Sequence, residues 1–335
     1  MKPKLTRRAA MGSAAAGVAG LAVGAARRAG AQPGPSVVTP ALNPNVGVYH
    51  TKVGTTDVTL INDGTFNFKP LHPSLGGNVD AAQVEAFAKE FHAPADGLAH
   101  VQTLLVRRGD RVALIDVGSG NTFVLTCGRV IDKLATLGLA PADVTDVLIT
   151  HAHLDHVGGL IHAQTRRMAF PNAAVHVADA ERDFWWSGPT LEKSGIPEDR
   201  KAHVIGVAVE ALSVAESHLQ TVTPGQEVVP GITALDAAGH TPGHTIYRIA
   251  DGDDSLLFVG DLIFFPPIIT MNPDWYVGFD TDRVAAAATR FRMLDQIAAD
   301  GQRICGSHLP FPAFGHLRPR GAGYEYLPEI WRFEN

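Results

Sequence analysis

The stretch that decides the fold of this chain is Leu148-Ile-Thr-His151-Ala-His153-Leu-Asp155-His156-Val-Gly-Gly159. Four side chains able to bind a metal ion fall within six residues of it, directly after the apolar run Val144–Ile149. Such a run predicts a buried strand. Because residues two apart in an extended backbone point to the same side, His151 and His153 can hold one ion from the end of that strand.

The other two candidate ligands, Asp155 and His156, lie where the chain has to turn, ahead of Gly158 and Gly159. They are placed to hold a second ion beside the first. Imidazole and carboxylate form the ligand set of a catalytic zinc-like site, whereas closed structural zinc sites rely on cysteine. The alternative is a polar loop in which several histidines occur by chance, and further ligands elsewhere in the chain count against it.

Those further ligands are His240, Asp261 and His308. Each follows a strand-like segment and lies near its carboxyl end, as His151 does. A metal site built on the rim of a sheet needs ligands at several such strand ends. The three preceding segments are Ile232–Leu235, Ser255–Val259 and Arg303–Cys305.

Strand and helix patterns alternate along the rest of the chain, which is typical of two sheets flanked by helices. Asp116, after one predicted strand, is either a partner of the metal histidines or a buried carboxylate satisfied by backbone donors. The other predicted strands are Val58–Asn62, Val101–Val106, Val112–Ile115, Ala174–Val177 and Thr245–Ile249. The predicted helices are Asp80–Phe91, Val124–Leu137, Asp179–Trp186 and Thr281–Ala298.

The N-terminal segment Met1–Ala31 has a basic region, an apolar Gly/Ala-rich run and a small-residue cleavage site, which together indicate an export signal. The pair Arg7-Arg8 favours the twin-arginine type and hence a periplasmic protein. An uncleaved membrane anchor is the alternative. We expect residues 32–44 to be a flexible lead-in and residues 45–335 to be one domain without stable membrane association after cleavage.

Charge and cysteine content exclude some classes of protein. The signal carries 6 of the 28 basic residues and no acidic residue, so 22 basic and 34 acidic residues remain, a net charge of −12. An acidic protein is a poor binder of nucleic-acid backbones. Cys127 and Cys305 are the only cysteines; two buried free thiols are favoured over a disulfide, although an oxidising periplasm permits one.

Three motifs resemble the metal motifs of the metallo-β-lactamase superfamily: the stretch from His151 to His156, Gly239-His240-Thr-Pro-Gly-His244, and Gly260-Asp261. The resemblance covers about residues 45–330 and implies an αβ/βα sandwich of two mixed β-sheets flanked by helices. Within the superfamily, Asp183-Phe-Trp185 and Ser307-His-Leu-Pro-Phe-Pro312 resemble methyl parathion hydrolase and its relatives.

The resemblance also implies a dinuclear site with two divalent ions, zinc being favoured by the ligand types. His151, His153 and His240 would hold one ion, and Asp155, His156 and His308 the other. Asp261 would bridge the two ions. The resemblance makes His244 a structural neighbour rather than a ligand.

The implied activity is hydrolysis of small neutral esters by a metal-bridging hydroxide, which Asp155 would orient. Phosphotriesters, aryl esters and lactones are the candidate substrates, and the resemblance implies a homodimer. The expected substrate pocket contains Phe123, Phe184, Trp185 and Phe264. Region 196–207 lacks the phenylalanines that methyl parathion hydrolase carries there, so a carboxylester or lactone stays a candidate for the native substrate.

Three competing functions stay open at this point. Acyl-homoserine lactonases of this fold usually carry tyrosine three residues after the bridging aspartate, where this chain has Phe264. A β-lactamase is disfavoured because Asp261 is present. A non-catalytic metal-binding module is disfavoured because all seven ligand positions are filled.

Overall fold

The computed structural model of the chain describes residues 46–332. Its first half forms one seven-stranded sheet and its second half another, and in each sheet the strands lie side by side in chain order. The first sheet contains β1 Val48–Val53, β2 Thr56–Asn67, β3 Leu98–Arg108, β4 Arg111–Ile115, β5 Asp146–Leu148, β6 Ala174–Ala178 and β7 Leu219–Val222. The second contains β8 Glu227–Val229, β9 Ile232–Asp236, β10 Thr245–Asp251, β11 Asp254–Phe258, β12 Ile304–Cys305, β13 Phe314–Arg320 and β14 Gly323–Pro328.

Helices accompany both sheets, and some of them pack directly on strands such as β2, β6 and β13. They are α1 Leu71–Ser74, α2 Ala81–Glu90, α3 Val130–Thr136, α4 Leu154–Val157, α5 Asp179–Trp186, α6 Glu198–Val214, α7 Ile268–Met271 and α8 Arg283–Ala299. Short 3₁₀ turns occur at Pro141–Asp143, Gly158–Leu160, Glu216–His218 and Gly260–Leu262.

Both sheets are mixed. Strands β1 to β4 pair antiparallel, whereas β4 to β7 pair parallel. In the second sheet, β11 and β12 pair parallel and every other pair is antiparallel. The predicted sandwich of two mixed β-sheets flanked by helices is therefore confirmed.

Side-chain alternation along the strands supplies two cores. In β2, Leu60 faces the second sheet and packs in one cluster with Ile246 and Phe258. The next residue, Ile61, faces the other way and belongs to the cluster that contains Leu134 of α3 and Ala211 of α6. Alternate pointing of successive residues is the rule for strands, so a single strand can line the inter-sheet core and the outer core at once.

Strand direction explains where the candidate ligands gather. Because β9 and β11 are both antiparallel to β10, they run in the same direction, and β12 is parallel to β11. Their carboxyl ends therefore lie at one edge of the second sheet. His240, Asp261 and His308 follow these three ends within four residues.

The predicted helix Val124–Leu137 is wrong at its start, because α3 begins at Val130. The cause is Asp63, far away in sequence. Its carboxylate accepts the backbone N–H groups of Gly128, Arg129 and Val130 at 2.9, 2.6 and 3.1 Å. Such N–H groups at a helix start have no partner inside the helix, so a cap from β2 sets the first turn.

Sequence reasoning missed several elements, of which α6 matters most. Its buried residues follow the spacing of one helical face, which the sequence contained. Val, Ile and Gly206 within the segment lower its helix propensity and conceal it. The buried set is Val204, Val207, Ala208, Ala211 and Leu212. Strands β1, β7, β8, β13 and β14 were also not predicted.

Two further expectations concern thiols and the membrane. Cys127 and Cys305 are both buried and free, as expected. No helix within residues 46–332 has both the length and the apolarity needed to cross a membrane. The predicted export signal and lead-in lie outside the described residues, so they stay predictions.

Candidate metal centre

The structure brings all seven predicted ligand positions together at one edge of the sandwich. Four of them offer ligand atoms that lie within 4.8 Å of one another: His151, His153 and His240, here called the histidine trio, with Asp261. The remaining three satisfy the same distance and are here called the mixed trio: Asp155, His156 and His308.

The histidine trio converges through one ring nitrogen from each residue. His151 Nε2 lies 3.0 Å from His153 Nδ1, and His240 Nε2 lies 3.1 and 2.9 Å from these two atoms. All three residues are buried. Three imidazoles so close together can present lone pairs to one point, which is the arrangement that a cation stabilises.

Asp261 lies between the two trios and faces both. Its Oδ2 is 3.3 Å from His240 Nε2 and 3.8 Å from His151 Nε2. Its Oδ1 is 3.2 Å from both His156 Nε2 and His308 Nε2. One carboxylate oxygen is thus available to each trio.

Two members of the mixed trio come from the short helix α4, which lies within the stretch Leu148–Gly159. His153 is the N-cap of α4, and Asp155 and His156 lie within its single turn. Asp155 Oδ2 is 3.6 Å from His156 Nε2 and 3.5 Å from His308 Nε2. With 14% of its side chain exposed, Asp155 is the most accessible of the seven.

Three buried atoms of the site test whether a metal fits. His156 Nε2, His308 Nε2 and Asp261 Oδ1 have no hydrogen-bond partner among the described residues. An unsatisfied buried polar atom costs about 1–3 kcal/mol, so three such atoms facing one another call for a ligand. Imidazole nitrogen and carboxylate oxygen suit divalent ions such as zinc. The residues present therefore fit a two-metal centre.

Burial and charge set the protonation of the ligands. Burial, reinforced by neighbouring histidines, holds the pKa of His151 and of His153 well below the usual range, so both stay neutral. Burial lowers the pKa of His156 and His308 too, but the surrounding carboxylates, led by Asp261, outweigh it and raise both. In turn, His308 and His156 outweigh burial and hold the pKa of Asp261 well below its usual value.

Each trio is oriented by groups behind it, as metal-binding histidines usually are. Asp116 Oδ2 lies 2.8 Å from His156 Nδ1, and Asp116 Oδ1 accepts the backbone N–H of Thr150 at 2.8 Å. Asp116 is thus both a partner of a metal-site histidine and a buried carboxylate that accepts a backbone hydrogen bond. This residue has φ +59, a conformation that non-glycine residues adopt rarely and often at functional sites.

Sequence reasoning missed two other supporting groups. His240 Nδ1 lies 2.8 Å from Asp280 Oδ1, and Arg290 Nη2 donates to Asp280 Oδ2 at 2.9 Å. His308 Nδ1 donates to the backbone carbonyl of His100 at 2.5 Å. Burial of Asp280 and Arg290 was the missing signal, since neither residue belongs to a local motif.

His244 is outside both trios. Its Nδ1 is 3.1 Å from the carbonyl of Ala237, and its Nε2 accepts the backbone N–H of Asp261 at 3.2 Å. Burial, with the charge of His240, lowers the pKa of His244 to about 3. A neutral ring of this kind holds the loop of Asp261 in place.

An apolar cavity lies above the site. Its empty volume, open mouth included, is about 710 Å³, and small molecules bind in apolar clefts of this kind that contain a few polar groups. Four of the ligand residues reach it: His153, Asp155, Asp261 and His308. The other lining residues are Phe66, Phe123, Leu154, Ile196, Pro197, Arg200, His203, Val204, Phe264 and Phe279.

Two of the four residues expected in the substrate pocket, Phe123 and Phe264, line this cavity, but Phe184 and Trp185 do not. Trp185 is fully buried. Its ring centre lies 5.7 Å from that of His153, and its Nε1 donates to Glu181 Oε1 at 2.7 Å. Trp185 therefore packs behind the histidine trio rather than facing the cavity.

Comparison with known proteins agrees with this geometry. Residues 96–308 match the Metallo-beta-lactamase superfamily. A solved structure of AidC, a dizinc quorum-quenching lactonase in complex with the product N-hexnoyl-L-homoserine, is similar with TM-score 0.80 and 29% identity, covering 85% of this chain and 98% of that one. The hydrolase AbOPH of the beta lactamase superfamily is similar with TM-score 0.77 and 28% identity, with the same coverage.

Curated relatives match a smaller part of the chain. A probable metallo-hydrolase of Mycobacterium bovis is 26% identical over 201 residues, which are 50% of this chain and 57% of the relative. An N-acyl homoserine lactonase of a Bacillus species is 23% identical over 202 residues, which are 60% of this chain and 67% of the relative. The chain thus spans between half and two thirds of the length of these relatives.

Proposed function

The chain belongs to the metallo-beta-lactamase superfamily, and on that premise we propose that it is a dinuclear metal-dependent hydrolase of small neutral esters, with lactones the favoured class. The observation that carries this proposal is the position of Asp261, whose two oxygens face the two trios under an apolar cavity. The similar structure with a bound lactone-derived product supports the lactone class.

The histidine trio would hold one divalent ion and the mixed trio the other, with Asp261 between them. Two such ions supply a water of lowered pKa and a Lewis acid for the ester oxygen. Zinc is the ion we propose, since the ligand types suit it and a similar structure is a dizinc enzyme.

The chain's own side chains would position and desolvate the reacting groups. Asp155 reaches the cavity from the mixed trio, where its carboxylate can accept a hydrogen bond from the attacking water and take up the proton. The aromatic walls exclude bulk water, which strengthens every electrostatic interaction at the reacting carbonyl. Neutral His151 and His153 stay available as lone-pair donors because burial depresses their pKa.

The walls also limit the substrate. Phe264 is buried with its ring centre 4.6 Å from that of His308, so this position offers no hydroxyl to a substrate oxygen. Apolar walls suit an acyl chain or an aryl group. A lactone or aryl ester would thus be recognised by shape and apolar contact, and its carbonyl would be oriented at the metal site.

We also propose the finer kinship with methyl parathion hydrolase and its relatives, which the motifs Asp183-Phe-Trp185 and Ser307–Pro312 support. It keeps phosphotriesters among the substrates to be tested. Export to the periplasm, absence of stable membrane association after cleavage, and a homodimer stay predictions from the sequence.

A hydrolysis screen of purified, metal-quantified protein tests the proposal. The panel contains an acyl-homoserine lactone, an aryl ester, a phosphotriester and a β-lactam. We expect turnover of the lactone and the aryl ester to scale with bound metal, to vanish after chelation and to return with Zn²⁺. Full activity in metal-free protein would contradict the mechanism, and preference for the phosphotriester would replace lactones as the favoured class.

A further inference from the structure

A buried carboxylate outside the seven ligand positions contacts both loops that carry the histidine trio. Glu181 lies in the first turn of α5 and is fully buried. Buried carboxylates need several donors to stay stable, and Glu181 has four. Its position in no recognised motif explains why the sequence alone gave no sign of it.

The four donors come from two separate loops and one neighbouring side chain. Oε1 accepts the backbone N–H of Ala152 at 2.8 Å and the indole N–H of Trp185 at 2.7 Å. Oε2 accepts the hydroxyl of Thr241 at 2.5 Å and the backbone N–H of Gly243 at 3.0 Å. One side chain thus joins the loop after β5 to the loop after β9.

The contacted residues are adjacent to the ligands. Ala152 lies between His151 and His153, and Thr241 directly follows His240. All three histidines of the trio are therefore within one residue of a hydrogen bond to Glu181. A small shift of Glu181 would change the distance between the two loops and so the separation of the three ring nitrogens.

Gly243 gives independent evidence that this junction is tight. A Cβ on Gly243 would lie 2.2 Å from the backbone nitrogen of Glu181 and 2.6 Å from its Cα. No side chain fits between the His240 loop and the start of α5. Glycine here permits the close approach that lets the carboxylate reach both loops.

The mixed trio is held by different groups. His156 contacts Asp116 at 2.8 Å, and His308 donates to the carbonyl of His100 at 2.5 Å. Glu181 makes none of these contacts. Its influence should therefore fall on one ion of the two.

We infer that Glu181 is a positioning residue that sets the geometry of the histidine trio and thereby the affinity for the ion held there, without touching that ion. This inference rests on the proposed two-metal function. The physical reason is preorganisation: a metal requires its ligands within about 0.2 Å of their ideal distances, and a loop without its tie has to be ordered by the metal itself. Loss of a supporting group typically costs about 10–100-fold in metal affinity.

The experiment is a titration of metal-free protein with Zn²⁺ in the absence of substrate, in which native mass spectrometry measures the number of bound ions. A parallel titration with Co²⁺ uses the absorption spectrum of the bound ion. We expect Glu181→Gln to weaken one of the two ions by about 10–100-fold and to leave the other within about threefold. Thr241→Val removes one of the four hydrogen bonds and no charge, so we expect a smaller loss at the same ion.

Asp146→Asn is the matched control. Asp146 is a buried carboxylate at the amino end of β5, with partners Thr145 and His176 at 2.7 and 3.0 Å. It lies at the opposite end of the strand from the trio, so this variant should lower the unfolding temperature and leave both ion affinities unchanged.

Equal weakening of both ions in Glu181→Gln, or the same selective loss in Asp146→Asn, would overturn the inference. If Glu181→Gln does not fold, Thr241→Val decides alone: a selective loss supports the inference and unchanged affinities overturn it. Since binding is measured without substrate, selective metal loss in a protein that hydrolyses none of the tested substrates would sink only the proposed function.

Discussion

The floor and the wall of the cavity are built in different ways. The floor consists of the two trios and Asp261, and three of its five histidines are fixed by directional bonds to Asp116, Asp280 and the carbonyl of His100. The wall is held by apolar packing, for example between Phe66 and Phe123, whose ring centres lie 5.0 Å apart. The wall residues are Phe66, Phe123, Ile196, Val204, Phe264 and Phe279.

This difference separates the residues that bind the metal ions from those that select the substrate. Directional bonds fix atoms to fractions of an ångström, which metal binding requires. Apolar packing is non-directional and tolerates changes of shape when volume is kept. We therefore expect changes in the floor to abolish metal binding or stability, and changes in the wall to redistribute activity among substrates while both ions stay bound.

The largest effect should follow Asp261→Ala, in the floor. Removal of this carboxylate leaves the two trios without the group that faces both of them. Because each ion contributes several kcal/mol to the transition state, we expect turnover to fall by about 10³-fold or more and tight metal binding to be lost. Elemental analysis and initial rates measure both, and wild-type metal content would refute the bridging role.

His244→Ala tests where the floor ends. This change deprives the backbone N–H of Asp261 of its acceptor, and a buried unsatisfied group costs about 1–3 kcal/mol. We expect a lower free energy of unfolding in urea but still two ions per chain. Loss of one ion would show that His244 is itself a ligand and that the floor is larger than the trios suggest.

The floor could be predicted from the sequence to a greater extent than the wall. His151, His153, Asp155 and His156 lie within six residues, so a local motif revealed four of the seven ligands of the floor. The strand ends before His240, Asp261 and His308 revealed the other three. These ligands follow the ends of predicted strands, and periodicity can indicate where such strands lie.

The wall and the supports behind the floor could not be predicted in this way. The wall comes from segments far apart in the chain, and α6, which supplies Val204 to the wall, was not predicted as a helix. Glu181 and Asp280 act only through contacts between distant loops. Trp185 was expected in the pocket because it matches an aromatic position that the family resemblance places near the substrate, but it is buried behind His153.

Ile196→Ala tests the wall. Ile196 is buried and lines the cavity, and none of its contacts orients a ligand residue. A missing methylene in an apolar pocket is worth about 1–3 kcal/mol, so we expect kcat/KM for a long-chain lactone to fall by about 10-fold or more, with less change for a short-chain one. Metal content should remain at two ions; a loss of metal would show that wall and floor are coupled.

The smallest effect should follow Arg200→Ala at the mouth of the cavity. Arg200 is the sole arginine or lysine among the described residues that line the cavity, and it is exposed. Charges in water are screened over about 8–10 Å at moderate salt, and an exposed ion pair is worth about 0–1 kcal/mol. We therefore expect kcat/KM for a neutral ester to change by less than about twofold, and KM for a carboxylate-bearing ester to rise by up to about fivefold at low salt.

Lys201→Ala is the matched control, because Lys201 pairs with Glu198 at 2.8 Å and does not line the cavity. A large loss with the neutral ester in Arg200→Ala alone would mean that the mouth takes part in the chemistry, and the division between floor and wall would fail there.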